Sequence, residues 1–128
     1  MPRILIIDDD RLVREATATL LRAKGYDIVM AADGKSGIEA AGAGHFDVAI
    51  VDLFMPGMDG LKVIESIHRA NPRIPMIAAS GFMFNGECPE MPHFESMATE
   101  AGAVSTLYKP FRPDVLYRTV ETAIGKAA

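Results

Sequence analysis

The chain has 128 residues, 49% of them apolar and 23% charged, with a formal net charge of −4. That length suits one domain with a real core, and the composition excludes a disordered chain. The acidic balance argues against direct nucleic-acid binding, the lone Cys88 rules out a disulfide within the chain, and no apolar run nears the roughly 20 residues of a membrane span.

The start, Met1-Pro2-Arg3-Ile4, leaves no room for a signal peptide before Asp8, so a cytoplasmic domain is expected. Residues 3–7 are a short apolar run ending in Asp8-Asp9. Leu12, Ala16 and Leu20 then recur at intervals of four, with Val13 and Leu21 beside them, which predicts a first helix. Asp10 stands where its N-cap belongs. Gly25, where a C′ glycine belongs, separates that helix from a second run at 27–31. The segment from Asp33 to Ala43 is the weakest helix, with Ile38 and Ala41 among glycines and Asp33 as its cap. A third run, 47–51, ends in Asp52, followed by a Pro-Gly turn and a helical face of Leu61, Ile64 and Ile67.

A fourth run, 75–79, ends in Ser80. The connection from Gly81 to Pro92 holds two prolines and two glycines, so a continuous helix is not expected there. It also carries Phe82, Met83, Phe84 and Met91, an apolar content unusual for a solvated loop. Phe94, Met97, Ala98 and Ala101 keep one helical face, and Gly102 again marks a helix end. The fifth run, 103–108, ends in Lys109-Pro110, and Leu116, Val120 and Ile124 mark the last helix. Five runs rich in Ile and Val, nearly continuous rather than alternating, read as strands covered on both faces. With five helices between and after them, they predict one α/β domain over 1–128: a parallel sheet with right-handed crossovers between two helical layers.

In such a sheet the C-terminal strand ends meet at one rim, where open α/β folds place ligands. Asp8, Asp9 and Asp52 would then crowd together. Like charges oppose one another's ionisation, and a divalent cation such as Mg²⁺ relieves this. Lys109 can reach over the rim toward a phosphate, and Ser80 can donate a hydrogen bond to one. Taken singly, each aspartate reads first as a turn residue and Lys109 as a surface lysine, while Ser80 reads equally as a turn hydroxyl. Asp52 to Gly60, a strand-terminal acid leading through Pro56-Gly57 into a helix, is the most specific segment.

Asp8-Asp9, the Asp52–Gly60 segment, Ser80-Gly81, Gly102-Ala103 and Lys109-Pro110-Phe111 together resemble the receiver domains of bacterial two-component response regulators, the CheY-like family. The resemblance spans the whole chain. It implies a flavodoxin-like (βα)5 fold with strand order 2-1-3-4-5. It implies that Asp52 accepts a phosphoryl group from a phosphohistidine. Asp9, Asp52 and the Phe54 carbonyl would hold Mg²⁺, with Asp8 acting through water. Lys109 would pair with the phosphoryl group, Ser80 would hydrogen-bond it once formed, and the Lys109–Pro110 bond would be cis. The implied partners are a histidine kinase or histidine phosphotransfer protein and a downstream protein target. The implied role is that of a signalling switch, not an enzyme turning over an external substrate.

The chain departs from the family in two places. Thr106 stands where many receivers carry Tyr or Phe, while Tyr108 lies on the same strand face and either substitutes or only packs. The long segment after Ser80, including Phe82, is either part of a partner surface near Asp52 or an inert insertion. The start at Met1 favours a stand-alone domain over one cut from a hybrid kinase or larger regulator. A competing class is a metal-dependent phosphatase with an Asp nucleophile, for which Asp10 would be the nominal acid/base group. A phosphate-independent module has no need of the full acidic set, and a flavin domain would want a Gly/Ser/Thr-rich loop after the first strand. Cys88 and His93 are too few to make a zinc site. His45 and His68 read as surface residues.

Overall fold

Strands β1 (Arg3–Ile7), β2 (Asp27–Ala31), β3 (Val48–Asp52), β4 (Met76–Phe82) and β5 (Ser105–Lys109) alternate with helices α1 (Arg11–Ala23), α2 (Gly34–Ala43), α3 (Gly60–Ala70), α4 (Phe94–Ala101) and α5 (Pro113–Ala127). The computed structural model describes residues 1–55, 57, 59–82 and 93–127. All strand pairs are parallel, in the order β2-β1-β3-β4-β5, as the resemblance implied. The sheet divides the core in two. Leu5, Ile7, Ala49, Val51, Met76 and Ala78 face α2, α3 and α4. Ile4, Ile6, Val48, Ile50, Ile77 and Ala79 face α1 and α5. Burial on both faces is the physical reason that β1 and β3 carry no alternating polar residue.

The caps follow the sequence reading. Asp10 accepts hydrogen bonds from the Leu12 and Val13 amides at the start of α1. Asp33 does the same for Ser36 at α2. Asp10 is thereby occupied as a cap, which weighs against it as a catalytic acid. Gly25 and Gly102 both adopt positive φ, +89° and +123°, behind α1 and α4. Two strand bounds differ from expectation by more than one residue. β5 begins at Ser105 rather than 103, because the Ala103 amide still bonds the Ala98 carbonyl of the preceding helix. β4 runs on to Phe82 rather than ending at 79, through an irregularity between Ser80 and Phe82 that lets it keep following β5. Most of the connection read as either part of a partner surface or an inert insertion, including Met83, Phe84, Cys88 and Met91, lies outside the described residues, as do Pro56 and Met58. Among the described residues no helix is long and apolar enough to cross a membrane.

Candidate functional site

Strand alternation fixes which way the rim residues project. Ile7, Val51 and Tyr108 belong to the α2–α4 side of the core. The next residue on each strand, Asp8, Asp52 and Lys109, therefore turns toward the α1/α5 side. Three chemically active side chains from three strands thus meet over one face. Asp8, Asp9 and Asp52 each offer a carboxylate oxygen, and these lie within 4.8 Å of one another. Asp8 and Asp52 are buried, while Asp9 is exposed. The Lys109 ammonium lies 2.8 Å from Asp8 Oδ2 and 3.5 Å from Asp52 Oδ2. The Lys109–Pro110 peptide is cis, as the resemblance implied.

The two adjacent acids have different environments. Both Asp8 oxygens are engaged: Oδ1 accepts from the Asp10 amide at 2.9 Å and Oδ2 from Lys109. Arg14, on the second turn of α1, donates to the Asp8 main-chain carbonyl at 2.8 Å and ties the helix to the end of β1. Sequence reading missed Arg14, since nothing in helical spacing says that a guanidinium will turn back onto the strand end. Beside these groups a cleft of about 660 Å³ opens, walled by Val13, Ala16 and Leu20 of α1 and by Pro110 and Phe111, with Asp52 in its lining.

The segment after Asp52 is held from both ends. The Phe54 amide donates to Asp52 Oδ1 at 3.1 Å, and Asp59 caps α3 through the Leu61 amide at 2.9 Å. Gly57 turns the chain at φ +83°. Gly60 is required by close approach: a Cβ there would collide with Leu53 Cα and sit 2.6 Å from the Asp52 carbonyl oxygen. Neither contact is a flexible side-chain end. Gly60→Ala is therefore expected to lower stability by about 1–3 kcal/mol in urea denaturation, the usual cost of overpacking. It should also weaken Mg²⁺ binding by displacing the Asp52 main chain. A variant with unchanged unfolding midpoint would mean that the loop absorbs the methyl group freely.

Burial pushes the Asp52 carboxyl up to about 7. The Lys109 charge and the Phe54 amide oppose this, while Asp8 and a hydrogen bond with Asp9 add to it. Burial works against the Lys109 ammonium, but the Asp8 hydrogen bond and the Asp52 field outweigh it, so its pKa is raised. Hard oxygen donors around one exposed and two buried carboxylates fit Mg²⁺, which takes carboxylates and keeps several waters. A ligand must be deprotonated to bind a metal. With Asp52 titrating at about 7, the Mg²⁺ dissociation constant from calorimetry should rise on acidification from about pH 8. Below about pH 7 the slope should approach tenfold per unit. A flat profile between about pH 8 and 6 would remove Asp52 from the ligand set.

Ser80 is placed differently. With Ala78 it turns toward the α2–α4 side, it is fully buried, and its hydroxyl donates to the Gly81 carbonyl at 2.9 Å. Tyr108 pairs with Ser80 in register. Its ring meets Phe94 edge-on, with centroids 5.4 Å apart, and its hydroxyl donates to the Glu95 carboxylate. Thr106, two residues back on β5, is half-buried. Glu95 went unnoticed in the sequence because its partner is set by how α4 docks, not by local spacing.

Residues 4–121 match the family described as response regulator receiver domain, and the chain belongs to that family. It is a receiver domain of two-component response regulators, whose members accept phosphate from histidine kinases and regulate downstream effectors. It is 30% identical over 125 residues to the transcriptional regulatory protein GlrR of Escherichia coli K12. That match covers 98% of this chain but only 27% of GlrR, so the chain spans about a quarter of that regulator. A CheY-like response regulator receiver domain protein from Methanospirillum hungatei superposes with a TM-score of 0.88 at 25% identity, covering 99% of this chain and 96% of that one. The receiver domain of the sensor histidine kinase PA1611 from Pseudomonas aeruginosa PAO1, solved with a magnesium ion in its active site cleft, matches at TM-score 0.82 and 25% identity. That match covers 97% of this chain and 98% of the PA1611 domain.

Proposed function

We propose that Asp52 is the phosphoacceptor of a single receiver domain and that a phosphohistidine on a histidine kinase or phosphotransfer protein is its donor, in the cytoplasm. A carboxylate oxygen of Asp52 attacks phosphorus, the P–N bond breaks, the imidazole leaves with its electron pair, and the product is an aspartyl phosphate. The observation that carries this reading is the Lys109 ammonium seated between Asp8 and Asp52 with Asp9 open to solvent beside them. Phosphoryl transfer asks the protein for in-line positioning and charge neutralisation more than for covalent machinery.

Asp9, Asp52 and the Phe54 carbonyl would hold Mg²⁺ directly, and Asp8, whose oxygens already serve Asp10 and Lys109, would act through water. Bound Mg²⁺ supplies positive charge against the phosphoryl oxygens. Lys109 supplies the protein's own positive charge, and the apolar wall of Val13, Ala16 and Phe111 limits water at one side of Asp52. Ser80 would leave the Gly81 carbonyl and donate to a phosphoryl oxygen, moving the end of β4. The domain then acts as a stoichiometric acceptor and switch for a downstream protein, not as a turnover enzyme. Phe82 and the segment after it would belong to the partner face.

Incubation with Mg²⁺ and a small acyl phosphate, followed by intact mass, should give one phosphate adduct that Asp52→Asn abolishes. Continuous hydrolysis of an external phosphate ester without an adduct would overturn the reading in favour of a phosphatase.

A further inference from the structure

The receiver reading leaves open how a phosphoryl group at Asp52 is felt outside the site. Thr106 is half-buried and carries no ring. Tyr108 carries one, packed against α4. It stands next to Lys109 in the chain and opposite Ser80 across the sheet. Neighbouring strands lie only about 4.8 Å apart, and Ser80 and Tyr108 project to the same side. Beyond Tyr108, its ring meets the edge of buried Phe94 and its hydroxyl bonds Glu95, both in the first turn of α4. His93, the N-cap, sits at φ +66° and makes no side-chain capping bond. Cap side chains ordinarily satisfy one of the orphan amides of a helix start.

We propose that Tyr108, acting with Glu95, is the residue that couples the phosphorylation site to α4 in this protein, in place of the aromatic absent at position 106. The inference rests on Asp52 being the phosphoacceptor. When the Ser80 hydroxyl leaves the Gly81 carbonyl for a phosphoryl oxygen, the wall beside Tyr108 changes. The tyrosine then shifts its ring, and its hold on Phe94 and Glu95 loosens. The first turn of α4, which the His93 side chain does not cap, frays and presents an altered surface to a partner. Tyr108 is a positioning residue here. It does not touch the reacting atoms.

Amide hydrogen exchange at Met97 to Ala101, read with and without acyl phosphate and Mg²⁺, tests the coupling, while intact mass counts phosphate on the same samples. In the native chain exchange there should speed up about fivefold on phosphorylation, the size expected for losing one modest hydrogen bond. Tyr108→Phe keeps the ring, and Glu95→Ala lies on an exposed position. Both should still accept one phosphate, but α4 should already exchange faster without it, and the phosphorylation step should shrink below about twofold. Thr106→Ala should keep the full step. A full step in Tyr108→Phe, or its loss in Thr106→Ala, with phosphate incorporation normal, would overturn the coupling alone. A native chain that takes no phosphate at Asp52 would overturn the coupling together with the receiver chemistry beneath it.

Discussion

Asp52→Asn is expected to stabilise the metal-free domain at about pH 8.5 while leaving its stability at about pH 3, below the unfolded carboxyl value, nearly unchanged. The Asp52 carboxyl is raised from 3.8 to about 7 in the folded chain, first by burial. A raised acid contributes stability that is fully present below its unfolded value and is lost as pH rises through its folded value. Above about pH 7 the native state must therefore hold an ionised, buried Asp52 that the unfolded chain ionises freely. Asn has the shape of the neutral acid and never has to ionise. At roughly 1.4 kcal/mol per unit the shift sets a ceiling of about 4 kcal/mol, and incomplete relief brings the expected gain to about 1–3 kcal/mol. Urea denaturation at the two pH values checks it, and intact mass on the same variant checks the lost adduct. Saturating Mg²⁺ should reverse the order, since a ligand stabilises whichever native state binds it better and the native chain keeps the third carboxylate. Equal stabilisation at both pH values would mean that charge at Asp52 is not the cause.

That result would also mark what the sequence could and could not reveal. Strand ends made the meeting of Asp8, Asp52 and Lys109 legible, because a parallel sheet leaves few other places for residues that terminate buried runs. The caps of α1 and α2 were legible for a local reason too, an aspartate one position before a helical stretch. Strand order was carried by resemblance, since alternation alone does not choose it. Side-chain partners set by docking were not legible. Glu95 meets Tyr108 only because α4 packs over β5, and Arg14 reaches Asp8 only because α1 leans on the end of β1. The difference between Asp8, buried and fully engaged, and Asp9, exposed, is likewise invisible in a dipeptide of identical residues. Gly60 reads as one more turn glycine until the Asp52 carbonyl is seen against it.

Lys109→Gln should move stability the other way. Its ammonium is the one positive group bonded to both buried carboxylates among the contacts described, at 2.8 Å from Asp8 and 3.5 Å from Asp52. Removing one partner of a buried pair leaves the other charge uncompensated and commonly costs about 3–5 kcal/mol. Here the carboxyls can protonate instead, so about 2–4 kcal/mol is expected at about pH 8, falling on acidification. Phosphoryl transfer from a small acyl phosphate should still end on Asp52 but slow by about 10²-fold, the usual effect of deleting one group aimed at developing negative charge. The double variant separates this from general damage. Among the described contacts no other cation pairs with the Asp8 or Asp52 carboxylates, so Asp52→Asn should rescue more stability in the Lys109→Gln chain than it adds to the native one. A coupling of about 0.5–3 kcal/mol is the range for groups in one charge network. If Asp52→Asn adds the same stability in both chains, Lys109 does not hold Asp52. Its bond to Asp8 would then be its whole structural role, and the shared rim charge would no longer explain why three acids are tolerated there.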